Sequence, residues 1–123
     1  MASVANNKRN GAKAEEDGAE HLRQSGVPNA ERRHLSGAND KGDIAGFVFP
    51  DGSRKVCVEI KSGSHLDLPK WLRELDVEIE NSGSDTGYVW IRPKGKPDPR
   101  DWFVVMRTDA HLDLLKKAGY IYG

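Results

Sequence analysis

The chain has 123 residues, 37% hydrophobic and 31% charged, with 19 basic and 19 acidic side chains and a net charge of zero. That is enough for one domain with a modest core. With no apolar run of bilayer length and no apolar leader behind the opening Met-Ala-Ser-Val, a soluble cytoplasmic protein is expected, neither membrane-bound nor secreted. The single cysteine, Cys57, excludes an internal disulfide and a cysteine-built zinc site. The neutral balance weighs mildly against a nucleic-acid binder, yet the charge is polarised. Residues 67–85 are acid-rich, with Glu74, Asp76, Glu78 and Glu80, while 92–107 carry Lys94, Lys96 and Arg100.

Residues 1–7 read as a disordered lead and 8–123 as a single domain. The stretch from about 7 to 24 is helical in pattern, with Ala12, Ala19 and Leu22 among charges and Gly26 as a stop. Gly11 and Gly18 each cost about 1 kcal/mol against alanine inside such a helix. After a turn at Val27-Pro28-Asn29, residues 30–35 form a short strand, and 36–42 a polar loop. Asp67 is placed to cap a helix with Pro69 in its first turn, running to about residue 81. Its apolar side is read as Trp71, Leu72, Leu75, Val77 and Ile79, with Glu74, Glu78 and Glu80 facing water. Residues 87–92 are a strand buried on both faces, 93–100 a loop with three prolines, and 102–106 a further strand. A last helix, capped by Thr108 or Asp109, turns Leu112, Leu114 and Leu115 inward and ends before Gly119. The resulting order of elements is that of an α/β domain with a mixed central sheet flanked by helices.

The most informative stretch is 42–63, read as a β-hairpin. Phe49-Pro50-Asp51-Gly52 has the residues of a type I turn with a glycine bulge, which as a three-residue loop pairs Phe49 with Ser53. Counting back sets Asp43 opposite Glu59. Side chains alternate, so Asp43, Glu59 and Lys61 share one face while Ile44, Val48, Val56, Val58 and Ile60 share the apolar one. A two- or four-residue loop would turn Asp43 to the wrong face. Two adjacent carboxylates repel unless a cation lies between them, and hard oxygen ligands suit Mg²⁺ or Mn²⁺. Lys61, about 7 Å along the strand from Glu59, would position a water or neutralise charge on a phosphate. By itself the Glu-x-Lys pattern equally describes a solvated strand face with an ion pair. The four histidines have no metal-ligand spacing.

These motifs together resemble the PD-(D/E)XK nucleases, and among them the archaeal-type Holliday junction resolvases and their phage relatives. Gly11-x-x-x-Glu15, Arg33, Ser36-Gly37, Gly42-Asp43-Ile44 and Val58-Glu59-Ile60-Lys61-Ser62 follow in the family's order and cover residues 8–63. The resemblance implies a restriction-endonuclease-like fold. It makes Asp43 and Glu59 ligands of Mg²⁺ or Mn²⁺, Lys61 the water-positioning base or electrophile, Glu15 a further acid and Ser36 a loop residue near the scissile phosphate. It implies a homodimer that cleaves four-way DNA junctions, at home in a phage, without an organic cofactor. Arg32, Arg33 and Lys41 are candidates for phosphate contact. Gly42 stands where the family has a proline of no chemical role, and the glutamines common on the following helix are absent. A nuclease of linear duplex, flaps or ends, and a non-catalytic DNA-binding module, are the alternatives.

Overall fold

The alternation of one strand sorts the core. In the computed structural model, which describes residues 4–34 and 39–122, the chain runs α1 (Val4–Gln24), β1 (Glu31–Arg32), β2 (Ile44–Ala45), β3 (Val56–Ser62), α2 (Leu68–Ser82), β4 (Thr86–Arg92), a 3-10 turn (Pro99–Asp101), β5 (Phe103–Val105) and α3 (Thr108–Lys117). β3 lies parallel to β4 and β4 antiparallel to β5, giving a mixed three-stranded sheet. On one face Val58 and Ile60 meet Ala14, Ala19 and Leu22 of α1, with Trp90 and Trp102. On the other, Cys57 joins Leu75 of α2, Val89 and Ile91. The chain is one α/β domain with its sheet between helices, in the expected order of elements. Among the described residues no helix is long and apolar enough to cross a membrane.

The hairpin differs from expectation in an instructive way. Gly52 N–H donates to Phe49 O at 2.8 Å, closing the turn over Pro50 and Asp51. Asp51 Oδ1 then accepts from Ser53 N–H at 2.8 Å, which adds Ser53 to the loop. Phe49 N–H therefore pairs with Arg54 O, not Ser53, and Val48 bridges Lys55. The loop has four residues, the length that should misdirect Asp43. An uninterrupted ladder from Val48–Lys55 would set Ala45 opposite Val58. Instead Asp43 N–H donates to Val58 O at 2.8 Å. The slack is absorbed around Gly46, at φ +80°, where β2 leaves β3 and pairs antiparallel with β1. The interruption restores Asp43 to the Glu59 side, so the expected neighbours meet by a different route.

Other expectations shift as well. The first helix begins at Val4, ahead of the expected start near residue 7, while residues 1–3 of the expected lead lie outside the described residues. β1 spans only Glu31–Arg32 of the expected 30–35, and Leu35 lies outside the described residues. On α2, Val77 is exposed and Glu78 buried, the reverse of the expected faces. Glu78 follows Leu75 by three positions and Trp71 by seven, the spacing of the buried stripe. α3 starts after Arg107 without a side-chain cap, and its Leu112 is exposed while Leu114 and Leu115 are half-buried.

A β-carbon at Gly46 would collide with the Asn29 carbonyl, besides being strained at that φ, whereas one at Gly52, φ +78°, meets nothing within 4 Å. Gly52→Ala is expected to lose about 1 kcal/mol by urea unfolding and Gly46→Ala at least about 2 kcal/mol more. Equal losses would mean that the interruption at Gly46 does not set the register.

Candidate catalytic and metal site

Asp43 is the joint of the site. Its N–H donates to Val58 O, its carbonyl accepts Arg33 N–H at 2.7 Å, and its Oδ2 accepts Ile60 N–H at 2.7 Å. A carboxylate thus takes the place of a strand along the edge of β3, which fixes its position against Glu59. Glu59 projects from β3 toward α2 and is 7% exposed. Lys61, two residues on and on the same face, brings Nζ to 3.7 Å from Glu59 Oε1 and 3.2 Å from Glu74 Oε2, and lies over the Trp71 ring. From the α1 side, Glu15 approaches Asp43 and holds Arg32 Nε at 3.6 Å. Glu15, Asp43, Glu59 and Lys61 therefore converge from α1, the segment before β2, and β3.

The electrostatics follow from burial. Glu15 is pushed up to about 7, by desolvation first and then by the Asp43 charge, with Arg32 opposing. Glu59 is driven far above the usual carboxylate range by desolvation and then by its contacts with Glu78 and Asp43. Glu78 is raised as well, by its own burial. At Lys61 burial opposes the charge, but Glu59 and then Glu74 outweigh it, so the ammonium is retained above its ordinary range.

The remaining expected residues are less central. Arg32 is half-buried against Glu15, and Arg33 is half-buried with its guanidinium donating to Ile44 O at 3.4 Å. Lys41 is exposed. Ser36 lies outside the described residues. Two residues were not anticipated. Glu78 of α2 and Asp40 of the loop before β2 each bring a carboxylate oxygen to Glu59, the three atoms lying within 4.8 Å of one another. Glu78 was legible in the helical stripe; Asp40 had no sequence signal beyond its place in a polar, glycine-containing loop. Gly42 is also more than a neutral stand-in for proline. Its φ is +92°, a conformation closed to proline.

Asp43 and Glu59 carry hard oxygen donors of the kind a divalent cation takes, while the carboxylate oxygens found within 4.8 Å of one another belong to Asp40, Glu59 and Glu78. Glu59 Oε2 is buried with no hydrogen-bond partner. No protein-family model, curated protein or solved structure matches the chain.

The raised carboxylates set the sign of a pH effect. The native state keeps protons that the unfolded chain has lost, so without divalent cation stability is full below about pH 4.5, the ordinary value. It falls as pH rises through about 7 for Glu15, and further for Glu59. Thermal midpoints in EDTA are expected to decline from about pH 5 to 9, and Glu59→Gln to flatten the decline. A midpoint that climbs over this range would contradict the buried-acid geometry.

Proposed function

We propose that the chain is a metal-dependent endodeoxyribonuclease of the PD-(D/E)XK type, with the restriction-endonuclease-like fold, that acts as a homodimer on four-way DNA junctions. The observation that carries this reading is that Glu15, Asp43, Glu59 and Lys61, from separate segments, lie beside one another, with Lys61 Nζ 3.7 Å from Glu59 Oε1. A structural ion pair on a strand face would not need Glu15 and Asp43 gathered beside it. Two-fold symmetry suits a substrate that must be nicked at two symmetric positions.

Asp43 and Glu59 would hold Mg²⁺ or Mn²⁺, which supplies Lewis-acid polarisation of the phosphate and a more acidic water. The chain's own groups act around it. Lys61 stays protonated between Glu59 and Glu74, so its part is that of a cation facing charge that builds on the phosphate, and not of a base. Asp43 is preorganised by Ile60 N–H, so little reorganisation accompanies its role. Glu15, titrating near neutrality, is placed to exchange a proton beside Asp43. Lys41, exposed on the loop before Asp43, is the freest of the three basic candidates to meet a DNA phosphate.

The test compares a labelled four-way junction with matched linear duplex, in Mg²⁺ and in EDTA. Paired symmetric nicks confined to the junction are expected for the wild type. Asp43→Ala and Glu59→Ala should abolish cleavage and Lys61→Ala lower it by about 10²–10³-fold, all with junction binding retained. Equal cutting of both substrates would defeat the junction assignment, and binding without metal-dependent cleavage would replace the enzyme by a binding module.

A further inference from the structure

We infer that Asp40, Glu59 and Glu78 form a second divalent-cation position, in the slot between β3 and α2, with Glu59 shared between it and the Asp43 side. The inference stands on geometry and does not need the nuclease reading.

The spacing is that of a coordination sphere. One carboxylate oxygen from each residue lies within 4.8 Å of the others. Ligands on opposite sides of Mg²⁺ or Ca²⁺, at about 2.0–2.6 Å from the ion, stand about 4–5 Å apart. An acidic cluster alone would be no more than a charged surface, but two of the three members of this one are buried. Glu59 is 7% exposed and Glu78 is 2% exposed, and each has its Oε2 buried without a hydrogen-bond partner. Two buried acceptors without a hydrogen-bond partner, on residues whose carboxylates meet, call for a donor or a cation.

Among the described residues no basic side chain fills that role at Glu78 or Asp40: Lys61 is the basic group paired with Glu59, and none forms an ion pair with the other two. The third ligand is held in place from two sides. Asp40 Oδ1 accepts Gly42 N–H at 2.9 Å, and its carbonyl accepts Asn81 Nδ2, from α2, at 2.9 Å. Gly42 allows this close approach. A β-carbon there would stand 2.9 Å from Cys57 Sγ and 3.0 Å from Val58 O, and 3.6 Å from Glu78 Oε2. The donors are all carboxylate oxygens, which selects hard ions such as Mg²⁺, Mn²⁺ and Ca²⁺ over zinc or copper.

Mn²⁺ is the probe, titrated without DNA into the full chain and followed by electron paramagnetic resonance and by the thermal midpoint. Asp43→Asn serves as the background in which the first position is weakened. Mn²⁺ binding is expected to persist in that background and to weaken at least about tenfold when Glu78→Gln or Asp40→Asn is added. Far-UV circular dichroism checks the fold, and Asp40, being exposed, carries the test if Glu78→Gln perturbs packing. Mn²⁺ affinity unchanged by either substitution would mean that Glu59 and Glu78 merely share a proton, and would overturn the inference. So would loss of all binding in Asp43→Asn alone. Because binding is read without DNA, a failed cleavage assay leaves this result untouched and counts only against the nuclease reading.

Discussion

The bond from Ile60 N–H to Asp43 Oδ2, 2.7 Å long, is the contact on which the rest of the arrangement depends. It does the work of a missing strand. β2 is only Ile44–Ala45 and pairs with β1, so the edge of β3 beside Glu59 has no continuous partner. Asp43 satisfies that edge with its own N–H on one side and its carboxylate on the other. A buried N–H left unpaired would cost about 1–3 kcal/mol, so the acid is held there for structural reasons before any chemistry is considered. The same bond aims the remainder of the carboxylate at Glu15 and Glu59.

Concentrating acids in this way is unfavourable unless something compensates. Lys61 and Arg32 neutralise part of the charge, Lys61 against Glu59 and Glu74, Arg32 against Glu15. Neither pairs with Glu78, which is more deeply buried than any of them. Folding thus assembles an acidic slot whose charge its own basic groups do not balance. Such a slot has use for a cation or for retained protons, and it is these alternatives that divide a metal site from an inert buried cluster.

Much of this was legible in the residues. The period-two pattern of β3 placed Val58 and Ile60 on one face and Glu59 and Lys61 on the other, as found. Asp67 does cap α2, accepting from Lys70 N–H. The hairpin register was not legible, because it depends on the Asp51–Ser53 bond and on a break at Gly46, where β2 answers to β1 and to Asn29, remote in sequence. The two errors cancelled at Asp43. Gly18, costly in a helix by propensity, is explained only by tertiary contact: a β-carbon there would lie 2.9 Å from Ile60 Cδ1 and 3.1 Å from Trp90. Glu78 was misassigned because charge outweighed helical position, although the stripe through Leu75 pointed to it. The convergence of Asp40 on Glu59 is purely three-dimensional.

Crystals of the full chain soaked in Mn²⁺ and measured at the manganese absorption edge test the central claim most directly. The account predicts anomalous density within about 2.6 Å of carboxylate oxygens of Asp43 and Glu59, and a second peak among Asp40, Glu59 and Glu78. Absence of density at both places, with the Glu59 and Glu78 carboxyls hydrogen-bonded to one another, would contradict it.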